Sequence, residues 1–89
     1  MIVRELPIVN RLGLHARAAA KFVNLAARFE SDVQVRRGDR QVNGKSIMGV
    51  MMLAAAKGMR VTLIVSGTDE EEAARHLECL VAERFGEEE

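Results

Sequence analysis

Apolar residues recur at helical spacing in the segment that follows the first apolar run of this sequence, and they predict a helix from about Ala16 to Phe29. The side chains that share its apolar face are Ala19, Phe22, Val23, Ala26 and Phe29. The opposite face is polar and carries Lys21, Asn24 and Arg28. A helix with one apolar face buries that face against another element, so we expect a sheet beneath it.

A second helix is predicted from Ser46, a favourable N-cap residue, to about Ala56, where Lys57-Gly58 ends it. This segment is apolar on more than one side. We expect Val50, Leu53 and Ala54 to face the sheet. The residues left to point outward are Ile47, Met48, Met51 and Met52. Exposed flexible methionines are typical of a surface that binds several partners in turn, so we expect a docking patch here.

A third helix is predicted to open at Thr68, whose hydroxyl caps it while Glu71 reaches back in a capping box. Its inward residues are Ala74, Leu77, Val81 and Phe85. Cys79 lies in the same helical pattern and is expected in the core, whereas His76 is expected to be solvated on the polar side. The acidic residues Glu87–Glu89 are expected to fray.

The remaining apolar segments predict four strands. Ile2 to Val9 is rich in β-branched residues, and its Pro7 indicates an edge strand because proline donates no ladder hydrogen bond. Val33 and Val35 alternate with polar residues, and Gly38-Asp39 then turns the chain into a short partner strand that ends at Val42. The segment Arg60 to Ser66 is the most strongly β-forming and is expected at the centre of the sheet.

The element order is therefore βαββαβα within one domain of residues 1–89. All neighbouring strands are antiparallel if the strand order is 1-4-2-3, which also leaves the first strand at an edge. The predicted fold is an α+β open-faced sandwich with three helices on one face of a four-stranded antiparallel sheet. Such a scaffold does not by itself indicate a function.

Composition narrows the function classes. The 13 basic and 13 acidic residues cancel, and the absence of a basic run argues against a nucleic-acid partner. A single cysteine excludes an internal disulfide and a cysteine-based zinc site, and it fits a cytoplasmic protein. No apolar stretch approaches the roughly 20 residues that span a bilayer, so no membrane partner is expected. Neither a metal site nor a cofactor site is predicted.

The chemistry of the chain is concentrated at the start of the first predicted helix, in the stretch from Gly13 to Arg17. A helix N-terminus carries unpaired amide groups and a partial positive charge, and it is therefore an anion site. His15 is the candidate nucleophile, because a neutral imidazole nitrogen can take up a phosphoryl group as a phosphoramidate. Arg17 and the backbone amides near Ala16 and Arg17 are expected to stabilise that group.

Three segments together resemble the histidine-containing phosphocarrier protein (HPr) family of the phosphoenolpyruvate-dependent phosphotransferase system. They are Leu12–Arg17, Val42–Met51 and Ala56–Gly58, and the resemblance spans essentially the whole chain. It implies that His15 accepts a phosphoryl group on Nδ1 from Enzyme I and passes it to a histidine of a downstream EIIA-type acceptor. It also implies that Arg17 contacts the phosphate, and that the protein is a monomeric carrier in a relay and no enzyme by itself.

The chain departs from the family pattern at two positions. Many members carry a proline at the position of Ala18, but alanine also favours a helix, so the anion site is expected to persist. Many members of the sugar branch carry a small polar residue at the position of Leu12. An apolar residue there is closer to the nitrogen-branch paralogues, and a nitrogen-branch carrier therefore stays open as an alternative.

Ser46 has two interpretations. The residues around it, taken alone, predict that it caps the N-terminus of the second helix. The resemblance adds that the matching serine in several bacterial groups is phosphorylated by an HPr kinase/phosphorylase, and that the helix with Ile47, Met48, Met51 and Met52 meets Enzyme I and the acceptors. A purely regulatory binding module that acts through Ser46 alone is the remaining alternative, although the presence of both His15 and Arg17 argues against it.

Overall fold

A computed structural model describes all of residues 1–89. Its elements are β1 (Ile2–Pro7), α1 (Ala16–Ala26), β2 (Asp32–Arg37), β3 (Arg40–Asn43), α2 (Ile47–Met52), β4 (Arg60–Ser66), α3 (Glu70–Ala82) and a one-turn 3-10 helix (Arg84–Gly86). None of the helices combines the length and the apolar character needed to cross a membrane.

One antiparallel sheet contains all four strands in the order β1-β4-β2-β3. This order and the central place of β4 confirm the prediction from the sequence. Leu6 of β1 and Val35 of β2 lie opposite Val61 and Leu63 of β4, respectively. Pro7 ends the edge strand β1, a position where a residue without an N–H group is tolerated.

The core lies between one face of the sheet and the helices. Along β4 the residues that point to the helices are fully buried, as the alternation of a strand requires: Val61, Leu63 and Val65. The inward residues predicted for the third helix are also buried: Ala74, Leu77, Val81 and Phe85. On α1 the predicted apolar face is buried except for Phe29, which follows the helix and is partly buried.

The second helix is shorter than its sequence predicts. It ends at Met52 because the chain leaves helical geometry at Ala54, which has a φ of 51° and is exposed instead of facing the sheet. The chain turns inward there, so Ala55 is buried and its carbonyl accepts a hydrogen bond from the amide of Leu14. A contact with a distant loop thus ends α2 before Gly58, which lies in the turn leading to β4.

The start of the third helix also differs from the prediction. Asp69 is its N-cap residue, and the capping box of Thr68 and Glu71 does not form. The Asp69 carboxylate instead accepts hydrogen bonds from the amides of Glu30 and Ser31, each at 2.9 Å. The side chain that would cap α3 therefore joins it to the segment after α1.

Cys79 is exposed on α3, so its predicted place in the core is wrong. The helical stripe of α3 already buries Leu77 and Val81, and Cys79 lies on the other side of the helix. His76 is exposed, as predicted, and its ring lies 5.6 Å from that of Phe29.

Candidate functional site

The loop before α1 is held by a close backbone approach at Gly13. This glycine has a φ of 65°, and a Cβ atom there would lie 2.3 Å from the carbonyl oxygen of Ala55. The next amide, that of Leu14, donates to the same oxygen at 2.9 Å. Only glycine has both the backbone freedom and the small size that this contact requires. This contact therefore fixes the position of His15 at the start of α1.

His15 is the N-cap residue of α1, with an extended backbone at φ −73° and ψ 178°. Its side chain makes no capping hydrogen bond, so it leaves the amides of the first helical turn unoccupied. The amides of Ala16, Arg17 and Ala18 have no acceptor in the protein, as the first turn of a helix requires. Three N–H groups at the positive end of the helix dipole are thus free for an anion.

Arg17 lies in the same first turn and is exposed, and its side chain forms no ion pair within the protein. Its guanidinium group is therefore free to bind an anion at the helix end. The structure brings together His15, Ala16 and Arg17, the three residues that the sequence predicts for phosphate chemistry. Their roles in phosphoryl transfer stay predictions at this point.

Glu87 contacts His15 and Glu89 contacts Arg11, so the prediction that the acidic segment Glu87–Glu89 frays is wrong. Glu87 Oε2 lies 2.5 Å from His15 Nε2, and its Oε1 accepts a hydrogen bond from Asn10 Nδ2 at 3.0 Å. Glu89 pairs with the Arg11 guanidinium at 2.9 Å. The 3-10 turn at Arg84–Gly86 sends the chain back toward the loop that carries His15.

The surroundings of Glu87 favour its ionised form. The hydrogen bond from Asn10 lowers the pKa of Glu87 most; burial opposes this, and the hydrogen bond to His15 and the charges of His15 and Arg17 lower it further. The side chain of Glu87 is only 15% exposed and that of His15 is 26% exposed. A carboxylate is therefore held beside the imidazole at neutral pH.

The outward side of α2 carries a methionine-rich patch. Ile47 is 41%, Met48 70%, Met51 38% and Met52 57% exposed, which agrees with the orientation expected from the sequence. Ser46 caps the helix, and its Oγ accepts a hydrogen bond from the amide of Gly49 at 3.0 Å. Because α2 packs against α1, the patch belongs to the same layer of the protein as the His15 loop.

No group of three or more histidine, cysteine, aspartate or glutamate side chains is placed to hold a metal ion.

Two residues of the site could not be predicted from the sequence, Asn10 and Glu87. Asn10 is fully buried between strand β1 and the loop, and it donates to the Gly13 carbonyl at 2.8 Å as well as to Glu87. An asparagine in a loop carries no local signal of such a role, because its burial is visible only in the structure.

Comparison with known proteins gives consistent matches over nearly the full chain. The sequence profile of the family described as "PTS HPr component phosphorylation site" matches residues 2–83. The phosphocarrier protein HPr of Cupriavidus necator is 56% identical, with 98% of each chain covered. The crystal structure of HPr-C-His from Thermoanaerobacter tengcongensis superposes with a TM-score of 0.96 at 45% identity and 100% coverage of both chains.

An HPr dimer from the same organism has also been crystallised, and it matches with a TM-score of 0.79 at 46% identity over 92% of this chain and 94% of that one. The fold is therefore shared with solved phosphocarrier structures.

Proposed function

We propose, since this chain belongs to the HPr family of phosphocarrier proteins of the phosphotransferase system, that His15 accepts a phosphoryl group from Enzyme I and passes it to a histidine of an EIIA-type acceptor domain. The observation that carries the proposal is the position of His15 at the N-terminus of α1, where three helix amides have no acceptor in the protein. The family match makes the protein a phosphocarrier, and the partners and residue roles are the proposal.

Phosphoryl transfer at this site uses the nitrogen of His15 that has no partner. Nε2 is engaged by Glu87, whereas Nδ1 makes no hydrogen bond within the protein. The Nδ1 lone pair forms the bond to phosphorus while the bond between phosphorus and the donor nitrogen of Enzyme I breaks and returns its electrons to that nitrogen. The second transfer, to the acceptor histidine, runs by the same displacement.

The phosphoryl group gains its stabilisation from Arg17 and from the amides of Ala16 and Arg17. Each hydrogen bond to a charged group contributes about 1.5 to 3 kcal/mol of stabilisation. The dipole at a helix N-terminus stabilises a bound anion by about 0.3 to 2 kcal/mol. Because Arg17 and the amides are open to solvent, their contributions fall toward the lower ends of these ranges. Such modest stabilisation suits a carrier, which must release the group again.

The methionine-rich patch of Ile47, Met48, Met51 and Met52 is, in this proposal, the surface on which Enzyme I and the acceptors dock. Four large apolar side chains on one exposed helix support this, since a soluble protein rarely leaves such a patch without a partner. Ser46 lies at the end of the same helix. Its phosphorylation by an HPr kinase/phosphorylase would add a charge of about −1.5 to −2 beside the patch and so regulate docking.

We further propose that the protein acts as a single domain over residues 1–89, as a monomer and in the cytoplasm, and that it takes part in the relay stoichiometrically instead of turning over by itself. Leu12 is 63% exposed and therefore available to an acceptor. Its apolar side chain keeps a nitrogen-branch acceptor as the alternative to a sugar-branch one.

The test is incubation with Enzyme I and labelled phosphoenolpyruvate. Wild type should take up an acid-labile, base-stable label that His15→Ala lacks. The chain has two histidines, and His76→Ala is the matched control because His76 is exposed on α3. Equal labelling of His15→Ala and wild type would refute the proposal, and loss of label in His76→Ala alone would reassign the site.

A second arm examines Arg17 and the acceptor. Arg17→Ala should slow transfer with the fold intact, and Arg17→Lys should recover only part of the rate because an ammonium lacks the planar fork of a guanidinium. Transfer from the labelled protein to sugar-branch and nitrogen-branch EIIA domains then identifies the branch. An unchanged rate in Arg17→Ala would exclude Arg17 from phosphate binding.

A further inference from the structure

Glu87 is held next to His15 by two anchors in the preceding turn. Phe85 is 1% exposed and fixes the 3-10 turn in the core. Its carbonyl accepts a hydrogen bond from Lys21 Nζ of α1 at 2.7 Å. The turn therefore fixes the path of the chain two residues before Glu87, and the position of the carboxylate is a property of the fold.

Asn10 adds a further constraint on Glu87. Its amide nitrogen donates to the Gly13 carbonyl at 2.8 Å and to Glu87 Oε1 at 3.0 Å. Both partners are acceptors, so only this orientation of the amide satisfies them. Asn10 keeps it although its Oδ1 is buried without a partner. The same asparagine thus orients the His15 loop and the Glu87 carboxylate together.

We propose that Glu87 is a positioning residue for His15, which accepts a hydrogen bond from Nε2–H and so leaves Nδ1 as the nitrogen with the free lone pair. A neutral imidazole carries one proton, and the nitrogen that bears it is set by the hydrogen bond that the ring makes. A carboxylate can only accept, so it selects the tautomer with the proton on Nε2. This inference rests on the proposed function of His15.

The carboxylate also stabilises the ring during transfer. When Nδ1 forms the bond to phosphorus, the imidazole gains positive charge, since its Nε2 proton stays in place. The electron pair of the broken bond remains on the donor nitrogen of Enzyme I, so no proton or electron is left unassigned. A carboxylate 2.5 Å from Nε2 then faces a more positive ring and strengthens its hydrogen bond.

The alternative for Glu87 is that it blocks the site as an internal anion. The geometry favours positioning, because Glu87 bonds Nε2 and the amides of Ala16 and Arg17 stay without an acceptor. An anion that competed with a phosphoryl group would occupy those amides. The experiment below separates the two roles.

The matched variants are Glu87→Gln and Glu88→Gln. Both remove one negative charge from the acidic segment, but Glu88 is exposed and makes no hydrogen bond to His15. A glutamine at position 87 has one side-chain oxygen for two donors, Asn10 Nδ2 and His15 Nε2–H. When that oxygen accepts from Asn10, the amide group donates to a bare Nε2, so the tautomer with the proton on Nδ1 also becomes populated. We expect imidazole nitrogen NMR shifts to show one dominant tautomer in wild type and Glu88→Gln, and a mixture in Glu87→Gln.

The rate of His15 phosphorylation by Enzyme I should fall about tenfold in Glu87→Gln, the scale of one hydrogen bond to a charged group, and stay near wild type in Glu88→Gln. Backbone NMR spectra of both variants provide the control for folding. Equal tautomer populations in the two variants, or equal rates, would overturn the inference. A faster rate in Glu87→Gln would overturn it as well and would show that the carboxylate blocks the site.

The NMR measurement uses the protein alone, and the rate of wild type is measured in parallel. If wild type takes up no phosphoryl group, the proposed function fails whatever the tautomer. If wild type is phosphorylated and the two glutamine variants behave alike, the role of Glu87 fails and the function stands.

Discussion

Gly13→Ala should destabilise the fold by an amount that follows from two features of the loop before α1. The backbone at Gly13 has a φ of 65°, and an alanine Cβ would lie 2.3 Å from the Ala55 carbonyl oxygen and 2.9 Å from Ala56 Cα. Left-handed geometry costs an alanine about 1 to 2 kcal/mol. Both close atoms are backbone, so the loop or the segment after α2 must move, at about 1 to 3 kcal/mol.

Movement also breaks the 2.9 Å hydrogen bond from Leu14 to Ala55, which contributes about 0.5 to 1.5 kcal/mol. We therefore expect the free energy of unfolding to fall by about 2.5 to 6.5 kcal/mol, a large part of the roughly 5 to 15 kcal/mol typical of a domain. Because His15 lies only two residues beyond Gly13, phosphorylation by Enzyme I should slow in the fraction that stays folded.

Gly38→Ala is the matched control, because Gly38 has a φ of 59° but no atom within 4 Å of the added Cβ. It should lose only the backbone contribution of about 1 to 2 kcal/mol. Urea unfolding followed by circular dichroism measures both variants. Equal losses in the two would show that the loop accommodates the added methyl group and that the His15 loop is not rigid.

Three further predictions concern the rest of the protein. Met48→Glu should weaken binding of Enzyme I in a calorimetric titration and change stability by less than about 0.5 kcal/mol, whereas unchanged affinity would remove Met48 from the docking surface. Ser46→Asp should keep the helix cap and the thermal midpoint but lower the affinity for Enzyme I by like-charge contact; equal affinity would leave Ser46 as a cap only. Hydrogen bonds from Ser31 and Glu30 lower the pKa of Asp69 from its usual 3.8, so the stability that its carboxylate provides is present above that value and lost as the pH falls through the lowered pKa. Wild type and Asp69→Ala should thus differ at neutral pH and converge in strong acid, and a constant difference down to pH values near 2 would contradict this.

The sheet could be predicted from the sequence because each strand is marked by its own residues, and because the strand order follows from the order of the elements along the chain. The bounds of β4 agree with the predicted segment, and the edge position of Pro7 settles which strand lies outside. The ends of the helices could not be predicted, since they depend on distant partners. Ala54 leaves the helix, and Ala55 contacts Leu14. Asp69, and not the predicted Thr68, is the N-cap residue of α3, and its carboxylate bonds the segment after α1.

The candidate site shows the same division. His15 and Arg17 are predictable because a helix start is encoded in a few consecutive residues. Glu87 is distant in sequence from His15 and reaches it because the buried Phe85 anchors the returning chain. Asn10 is near His15 in sequence but lies in no recognisable pattern. An acidic segment at the end of a sequence is predicted to be solvated unless a neighbouring buried residue directs it inward. Phe85 is such a residue, but its spacing predicts a place on the third helix and not in the turn that follows it.

The pairing of β1 with β4 has a consequence for the order of folding events. Ile2 lies opposite Val65, so the edge strand finds its place only after nearly the whole chain has been positioned. The β2–β3 hairpin, by contrast, closes over the two-residue turn at Gly38-Asp39. Long-range pairings pay their loop-closure entropy before they are stabilised, and they slow folding relative to helical bundles of the same length. We therefore expect the hairpin to form early and the edge strand to join last.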